Sequence, residues 1–262
     1  MSQGSLQITL LHTNDMHSHL EAMSQLSTFA RQQRADLEAE GRQVFFFDAG
    51  DAADRRMRFC GVTKGAAFPR ILKAMNYDLQ TLGNAISITY GLQAASEMAR
   101  RAAYPVLAAN LFEGGRPLVA GFQPTMQYRL RGNITLGVIG LTVHAPHLYD
   151  LFGVHVPDYR DTARRWVEQF TRQGIRPIVV VSHLGIREDR LLAEAVPEID
   201  VIIGGHSHTL LPEGEWVNGV LIAQAGNYAE GLGRVDLALN PLTGAVLSAS
   251  ATALSIPVDT PP

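Results

Sequence analysis

A single cysteine, Cys60, excludes an intramolecular disulfide and any thiolate cluster in this 262-residue chain. Lysine is almost as scarce. Lys64 and Lys73 are the only two, and the other basic side chains are arginines scattered along the sequence. With a formal net charge of −3, no basic surface for a nucleic-acid polymer or an anionic membrane is evident. No uninterrupted apolar run approaches the roughly 20 residues of a membrane-spanning helix. The N-terminus lacks a charged segment followed by an apolar one, so no signal peptide is visible. The expected location is therefore cytoplasmic as written, or periplasmic or secreted if a leader has been removed.

What is present is apolar. Hydrophobic residues make up 46% of the chain, enough for a sizeable core. The length suits one large domain or two small ones. No linker-like stretch or internal repeat divides the sequence, so one domain is expected over residues 1–256, with a frayed tail at 257–262. Apolar runs predict strands at 6–11, 44–47, 78–82, 106–109, 178–182 and 201–203. Antiparallel partners are expected at 123–130 and 133–140, and late antiparallel strands at 220–225, 234–239 and 245–251. Helices are expected at 23–40, 64–75, 91–103, 158–173 and 187–195, with a loop over 52–63. Asp158 is a plausible N-cap, and Gly41 and Gly174 follow helix ends. This order implies an α/β sandwich with mixed sheets.

The sequence is organised around Gly205-His206-Ser207-His208, which follows the apolar run 199–204. Asp15-Met16-His17, Gly50-Asp51, Gly83-Asn84 and His183 each stand just after another strand-like run. In open α/β sheets ligands collect beyond the carboxyl ends of strands. Five such clusters imply one shared site. The candidate metal ligands are Asp15, His17, Asp51, Asn84, His183, His206 and His208. Carboxylates, one amide oxygen and imidazoles suit Mn²⁺, Fe or Zn²⁺, with manganese the first expectation. Seven donors exceed the needs of one tetrahedral ion and suit two divalent ions sharing a carboxylate. Such a pair clamps the oxygens of an in-line displacement and makes hydroxide available near neutral pH.

The motifs resemble those of the calcineurin-like metallophosphoesterases, and within them the catalytic domain of the 5′-nucleotidase and 2′,3′-cyclic-nucleotide phosphodiesterase family. Leu10-Leu11-His12-Thr13-Asn14-Asp15-Met16-His17 is close to that family's opening signature. Asp48-Ala49-Gly50-Asp51, Thr81-Leu82-Gly83-Asn84, Ser182-His183-Leu184-Gly185 and Gly204-Gly205-His206-Ser207-His208 follow in the family's order. The resemblance covers nearly the whole chain. It implies a four-layer α/β/β/α sandwich of two mixed sheets. It also implies that Asp15, His17, Asp51 and His208 hold one ion and that Asp51, Asn84, His183 and His206 hold the other, with Asp51 as the bridge. The implied partner is a small phosphate-ester substrate, nucleotide-like or otherwise, cleaved by a metal-bridged hydroxide.

The sequence departs from the family after Asn84. Members usually continue Gly-Asn with a histidine that contacts the transferring phosphate and is held by an aspartate. Here Ala85 stands in that place, and no aspartate is near its partner's position. The family's C-terminal substrate domain is also beyond this sequence. His144 and His147, or His19, could reach the phosphate in the missing histidine's stead, although surface loop histidines are the commoner reading of the first two. Arg55, Arg56 and Arg58 could bind an anion, although a solvated loop is the commoner reason for such residues. His12 reads as a buried structural histidine. The leading expectation is a dinuclear phosphoesterase. The alternatives are a metal-binding or interaction module that has lost catalysis, and a sulfur-ester hydrolase.

Overall fold

The computed structural model describes residues 4–117 and 121–262. The part of the leader reading that concerns residues 1–3 lies outside them. The chain begins with β1 (Leu6–Thr13), α1 (Leu20–Ala39) and β2 (Gln43–Asp48). Two short helices follow, α2 (Arg58–Thr63) and α3 (Phe68–Ala74), then β3 (Leu79–Thr81), α4 (Asn84–Ser87), α5 (Leu92–Arg101) and β4 (Val106–Leu107). A small hairpin, β5 (Phe112–Glu113) and β6 (Arg116–Pro117), leads to β7 (Thr125–Arg129) and β8 (Thr135–Leu141). Then come α6 (Pro146–Tyr149), α7 (Tyr159–Arg172), β9 (Ile178–Ser182), α8 (Ile186–Ala195) and β10 (Val201–Ile203). The chain closes with β11 (Glu215–Val217), β12 (Val220–Ala223), β13 (Gly231–Leu239) and β14 (Val246–Ser255).

Two six-stranded mixed sheets result, in the orders β14-β13-β1-β2-β3-β4 and β11-β12-β10-β9-β8-β7. Strands β1 to β4 run parallel, as do β8, β9, β10 and β12. Antiparallel strands complete the edges. Side chains alternate across each strand and so serve two layers. Ile8 and Leu10 of β1 face Val179 and Val181 of β9 and Val201 and Ile203 of β10 in a central apolar layer between the sheets. Leu11 turns the other way, against Met23 and Leu26 of α1 and Leu72 of α3. Ile178, Val180 and Ile202 meet Val167 and Phe170 of α7 and Leu192 of α8. Three apolar layers between four layers of secondary structure give the α/β/β/α sandwich. Each fully buried Val, Leu or Ile stabilises it by about 1.5–3 kcal/mol. Among the described residues no helix is long and apolar enough to cross a membrane.

Several expectations need correction. Residues 58–63 form α2 inside the stretch read as loop, and 64–67 turn rather than continue a helix. Lys64 and Gly65 both take left-handed backbone conformations there, which ends α2. Strand β12, read as one of the late antiparallel strands, pairs parallel with β10 and antiparallel only with β11. Asp158 does cap α7, accepting from the amides of Arg160 and Asp161.

His12 is buried in β1 and packs directly on Gly233, where an added Cβ would stand 2.1 Å from its imidazole. Its Nδ1 has no hydrogen-bond partner. Burial pushes its pKa down to about 3. The unfolded chain titrates this group near 6.5, so below that pH the unfolded state binds the extra proton. The stability His12 allows is complete above pH 6.5 and is lost as pH falls toward about 3, at about 1.4 kcal/mol per pH unit. Urea unfolding between pH 6 and 4 should show a slope shallower by about one proton in His12→Asn than in the wild type. Equal slopes would mean that His12 is protonated in the folded chain.

Candidate metal centre

The seven residues singled out by sequence leave the carboxyl ends of five strands. Asp15 and His17 follow β1, Asp51 follows β2, and Asn84 opens α4 after β3. His183 follows β9, and His206 and His208 follow β10. The first three strands belong to one sheet and the last two to the other, so the site straddles the inter-sheet gap at one edge.

Five of the seven (Asp15, His17, Asp51, His206 and His208) have left-handed backbones, with φ from 46° to 70°. Few residues other than glycine adopt this conformation, though Asp and His tolerate it better than most. Each instance costs about 1–3 kcal/mol and persists where neighbours enforce it. The enforcing bonds are present. The amides of Asp15, His17 and Ser18 donate to the carbonyls of Gly50, Asp51 and Ala52 at 2.9, 2.9 and 2.8 Å. The His206 amide donates to Asp15 Oδ2 at 2.7 Å. Gly83 permits the close approach of Asp51, since a Cβ there would lie 2.0 Å from Asp51 Oδ1.

Asp15 Oδ1 is buried and has no hydrogen-bond partner. Around it stand His208 Nε2 at 3.5 Å, His17 Nε2 at 3.6 Å and His183 Nε2 at 4.0 Å. His183 Nε2 lies 3.1 Å from Asp51 Oδ2 and 3.2 Å from Asn84 Oδ1. The ligand atoms of Asp15, His17 and His208 all lie within 4.8 Å of one another, as do those of Asp15, Asp51 and His183. His206 stands at the rim, its ring 5.2 Å from that of His183. Ligands each about 2.1 Å from one ion stand about 3–3.5 Å apart. The donors are thus spaced for cations between them and too far apart to satisfy Asp15 Oδ1 directly.

Electrostatics point the same way. Burial alone would raise the Asp15 carboxyl, but the nearby imidazoles of His17, His208 and His183 and the hydrogen bond from Asn14 hold it well below the usual carboxylate range. Burial alone would lower His183, yet Asp51 and Asp15 push its pKa up to about 9. His17 is raised against burial by Asp15, Asp51 and Asp54. The pocket is an acidic one that demands positive charge.

Three rings are aimed by partners that sequence reading missed. Asp54 Oδ2 lies 2.9 Å from His17 Nδ1, Asn227 Nδ2 lies 3.0 Å from His208 Nδ1, and the Ala49 carbonyl lies 2.7 Å from His183 Nδ1. Each partner leaves Nε2 facing the cluster. Asn14 Nδ2 likewise donates to Asp15 Oδ2 at 2.8 Å. Asp54 could have been noticed as an acid three residues beyond Asp51, whereas Asn227 and a carbonyl carry no sequence signal. The cavity above the cluster, about 170 Å³, is lined by His17, Asp51, Asn84, His206, His208, Arg56 and Tyr228. His144 is not among these. It lines a neighbouring groove of about 320 Å³ that shares His206. His19 stacks on Tyr228 with ring centroids 4.3 Å apart.

A family model, calcineurin-like phosphoesterase, matches residues 8–210. The chain belongs to that family. It is 34% identical to the uncharacterized metallophosphoesterase YunD of Bacillus subtilis, over 94% of this chain and 53% of YunD. It is 30% identical to a 5′-nucleotidase of Diplobatis ommata, over 80% of this chain and 39% of that protein. The crystal structure of a 5′-nucleotidase precursor from Thermus thermophilus superposes with a TM-score of 0.81 at 26% identity, covering 98% of this chain and 56% of that one. The chain spans about half the length of these relatives, or less.

Asp54→Ala should free the His17 ring. Divalent-metal affinity is then expected to fall about 10–100-fold, as for other partners that orient metal-binding histidines. Calorimetric titration of chelator-stripped protein measures this, and unchanged affinity would show that Asp54 does not orient the ring.

Proposed function

We propose that Asp15, His17, Asp51, Asn84, His183, His206 and His208 hold two divalent cations, and that the chain hydrolyses a phosphate mono- or diester over them. The observation that carries this reading is Asp15 Oδ1, a buried carboxylate oxygen without a partner, ringed by three imidazole nitrogens at 3.5–4.0 Å. Asp15, His17, Asp51 and His208 would hold one ion. Asp51, Asn84, His183 and His206 would hold the other, with Asp51 shared. When bound, such ions supply Lewis acidity, neutralising phosphoryl charge and lowering the pKa of coordinated water. Hard oxygen donors with imidazoles and no thiolate favour Mn²⁺, with Zn²⁺ or Fe next.

The chain's own residues have separable tasks. Asn84 lines the cavity, where its side chain would serve both the second ion and the substrate. Asp54, Asn227 and the Ala49 carbonyl fix the imidazoles. Ala85 offers only its amide, which donates to Asp51 Oδ1 at 2.8 Å, so the usual histidine donor to the phosphate is missing. The 5′-nucleotidase relatives support a nucleotide-like substrate.

The test is hydrolysis of p-nitrophenyl phosphate and bis(p-nitrophenyl) phosphate by the metal-stripped chain, with and without Mn²⁺. Turnover should appear with Mn²⁺, vanish on chelation, and be absent in Asp15→Asn. A chain that takes up two equivalents of metal yet turns over neither ester would instead be a metal-binding module.

A further inference from the structure

Arg56 is the one fixed cation among the described residues lining the cavity over the metal cluster. Its position is built. The Arg56 amide donates to Asp54 Oδ1 at 2.8 Å, and the other oxygen of Asp54 pairs with His17 Nδ1. The Asp54 amide in turn donates to Ser18 Oγ at 2.7 Å. The turn that carries Arg56 is therefore fastened to the same loop that carries His17.

Tyr228 lines the same cavity. Its side chain and the Asp54 charge raise the pKa of the Arg56 guanidinium, which is exposed to solvent. Tyr228 has a left-handed backbone, with φ of 56°, a conformation that bulky residues rarely adopt. Its amide donates to the Asp15 carbonyl at 2.8 Å. Its ring stacks on His19 at 4.3 Å and meets His17 and His208 edge-on at 5.9 and 5.6 Å. A strained residue packed by three histidines thus lines the same cavity as Arg56.

Position 85 adds no side-chain donor beside Asn84. Ala85 supplies a methyl group where a phosphate ligand would be wanted. Any phosphoryl group seated on the cluster also faces the carboxylates of Asp15 and Asp51. A guanidinium offers planar, permanently charged N–H donors that match phosphoryl oxygens two at a time. We infer that Arg56, positioned by Tyr228, binds the terminal oxygens of the substrate phosphate and does the work the residue at position 85 cannot. The inference rests on the phosphoesterase reading above and narrows it to a phosphate monoester. A monoester dianion brings three terminal oxygens and a second negative charge for the guanidinium to meet. A diester brings two such oxygens and one charge, which the cluster itself can satisfy.

Binding of inorganic phosphate, methyl phosphate and dimethyl phosphate to the Mn²⁺-loaded chain, measured by calorimetry, tests this apart from turnover. Arg56→Ala should weaken inorganic and methyl phosphate about 10–100-fold, the range for a hydrogen bond to a charged group. Dimethyl phosphate should weaken less than about threefold. Tyr228→Phe keeps the ring on His19 and removes only the hydroxyl. It should weaken phosphate about 3–10-fold, less than removal of the guanidinium itself because the loss acts through Arg56, with Mn²⁺ affinity unchanged in both variants. Unchanged phosphate affinity in Arg56→Ala, or no phosphate binding by the wild type at millimolar concentration, would overturn the assignment. Equal weakening of dimethyl phosphate would overturn the monoester class. Phosphate binding that depends on Arg56 in a chain that cleaves no ester would leave the assignment standing and remove the hydrolase reading. Ester turnover with phosphate affinity indifferent to Arg56 would do the reverse.

Discussion

Two carboxylates, Asp15 and Asp51, are buried where the two sheets meet, and imidazoles are the titratable groups that stand against them. A carboxylate taken from water at such a depth needs a counter-charge and hydrogen bonds. Asp15 Oδ2 obtains hydrogen bonds from Asn14 and the His206 amide, but Asp15 Oδ1 does not. The left-handed loop backbones, the rings turned by Asp54, Asn227 and the Ala49 carbonyl, and the elevated His17 and His183 all follow from arranging donors around that deficit.

The fold makes this arrangement possible by keeping the ligands far apart in sequence and close in space. Parallel strands in both sheets bring their carboxyl ends to one edge, and the central apolar layer of Ile8, Leu10, Val179, Val181, Val201 and Ile203 sets how closely the two halves of the site approach. A cation bound across the gap would tie the sheets together. Because the unfolded chain cannot assemble this donor set, such binding would add directly to folding stability.

Much of the fold is legible because it is written in apolar runs. The run before Asp15, Phe45-Phe46-Phe47 before Asp51, and the valines before His183 are long and buried on both faces, so they read as strands without help from tertiary context. The short pieces are illegible for the opposite reason. Helix α4 has four residues, too few for any periodicity, yet it begins at Asn84 and turns the Ala85 amide toward Asp51. Helix α2 carries Gly61 and ends in β-branched Val62 and Thr63, and its propensity is weak. It forms because Cys60 packs into the apolar layer beneath it. At the site, residues with distinctive chemistry could be named in advance. The groups that aim them (Asp54, Asn227 and the Ala49 carbonyl) owe their roles to loop geometry, which a linear reading does not contain. Parallel pairing of β12 with β10 was hidden likewise, since strand direction depends on the path of the intervening loop.

The central claim is that the deficit around Asp15 and Asp51 is met by a pair of cations. Anomalous scattering from crystals of the Mn²⁺-loaded chain measures it most directly. The account predicts two peaks, one among Asp15, His17 and His208 and one among Asn84, His183 and His206, with Asp51 between them. A single peak that excess metal cannot double, or imidazoles turned away from the carboxylates, would contradict it.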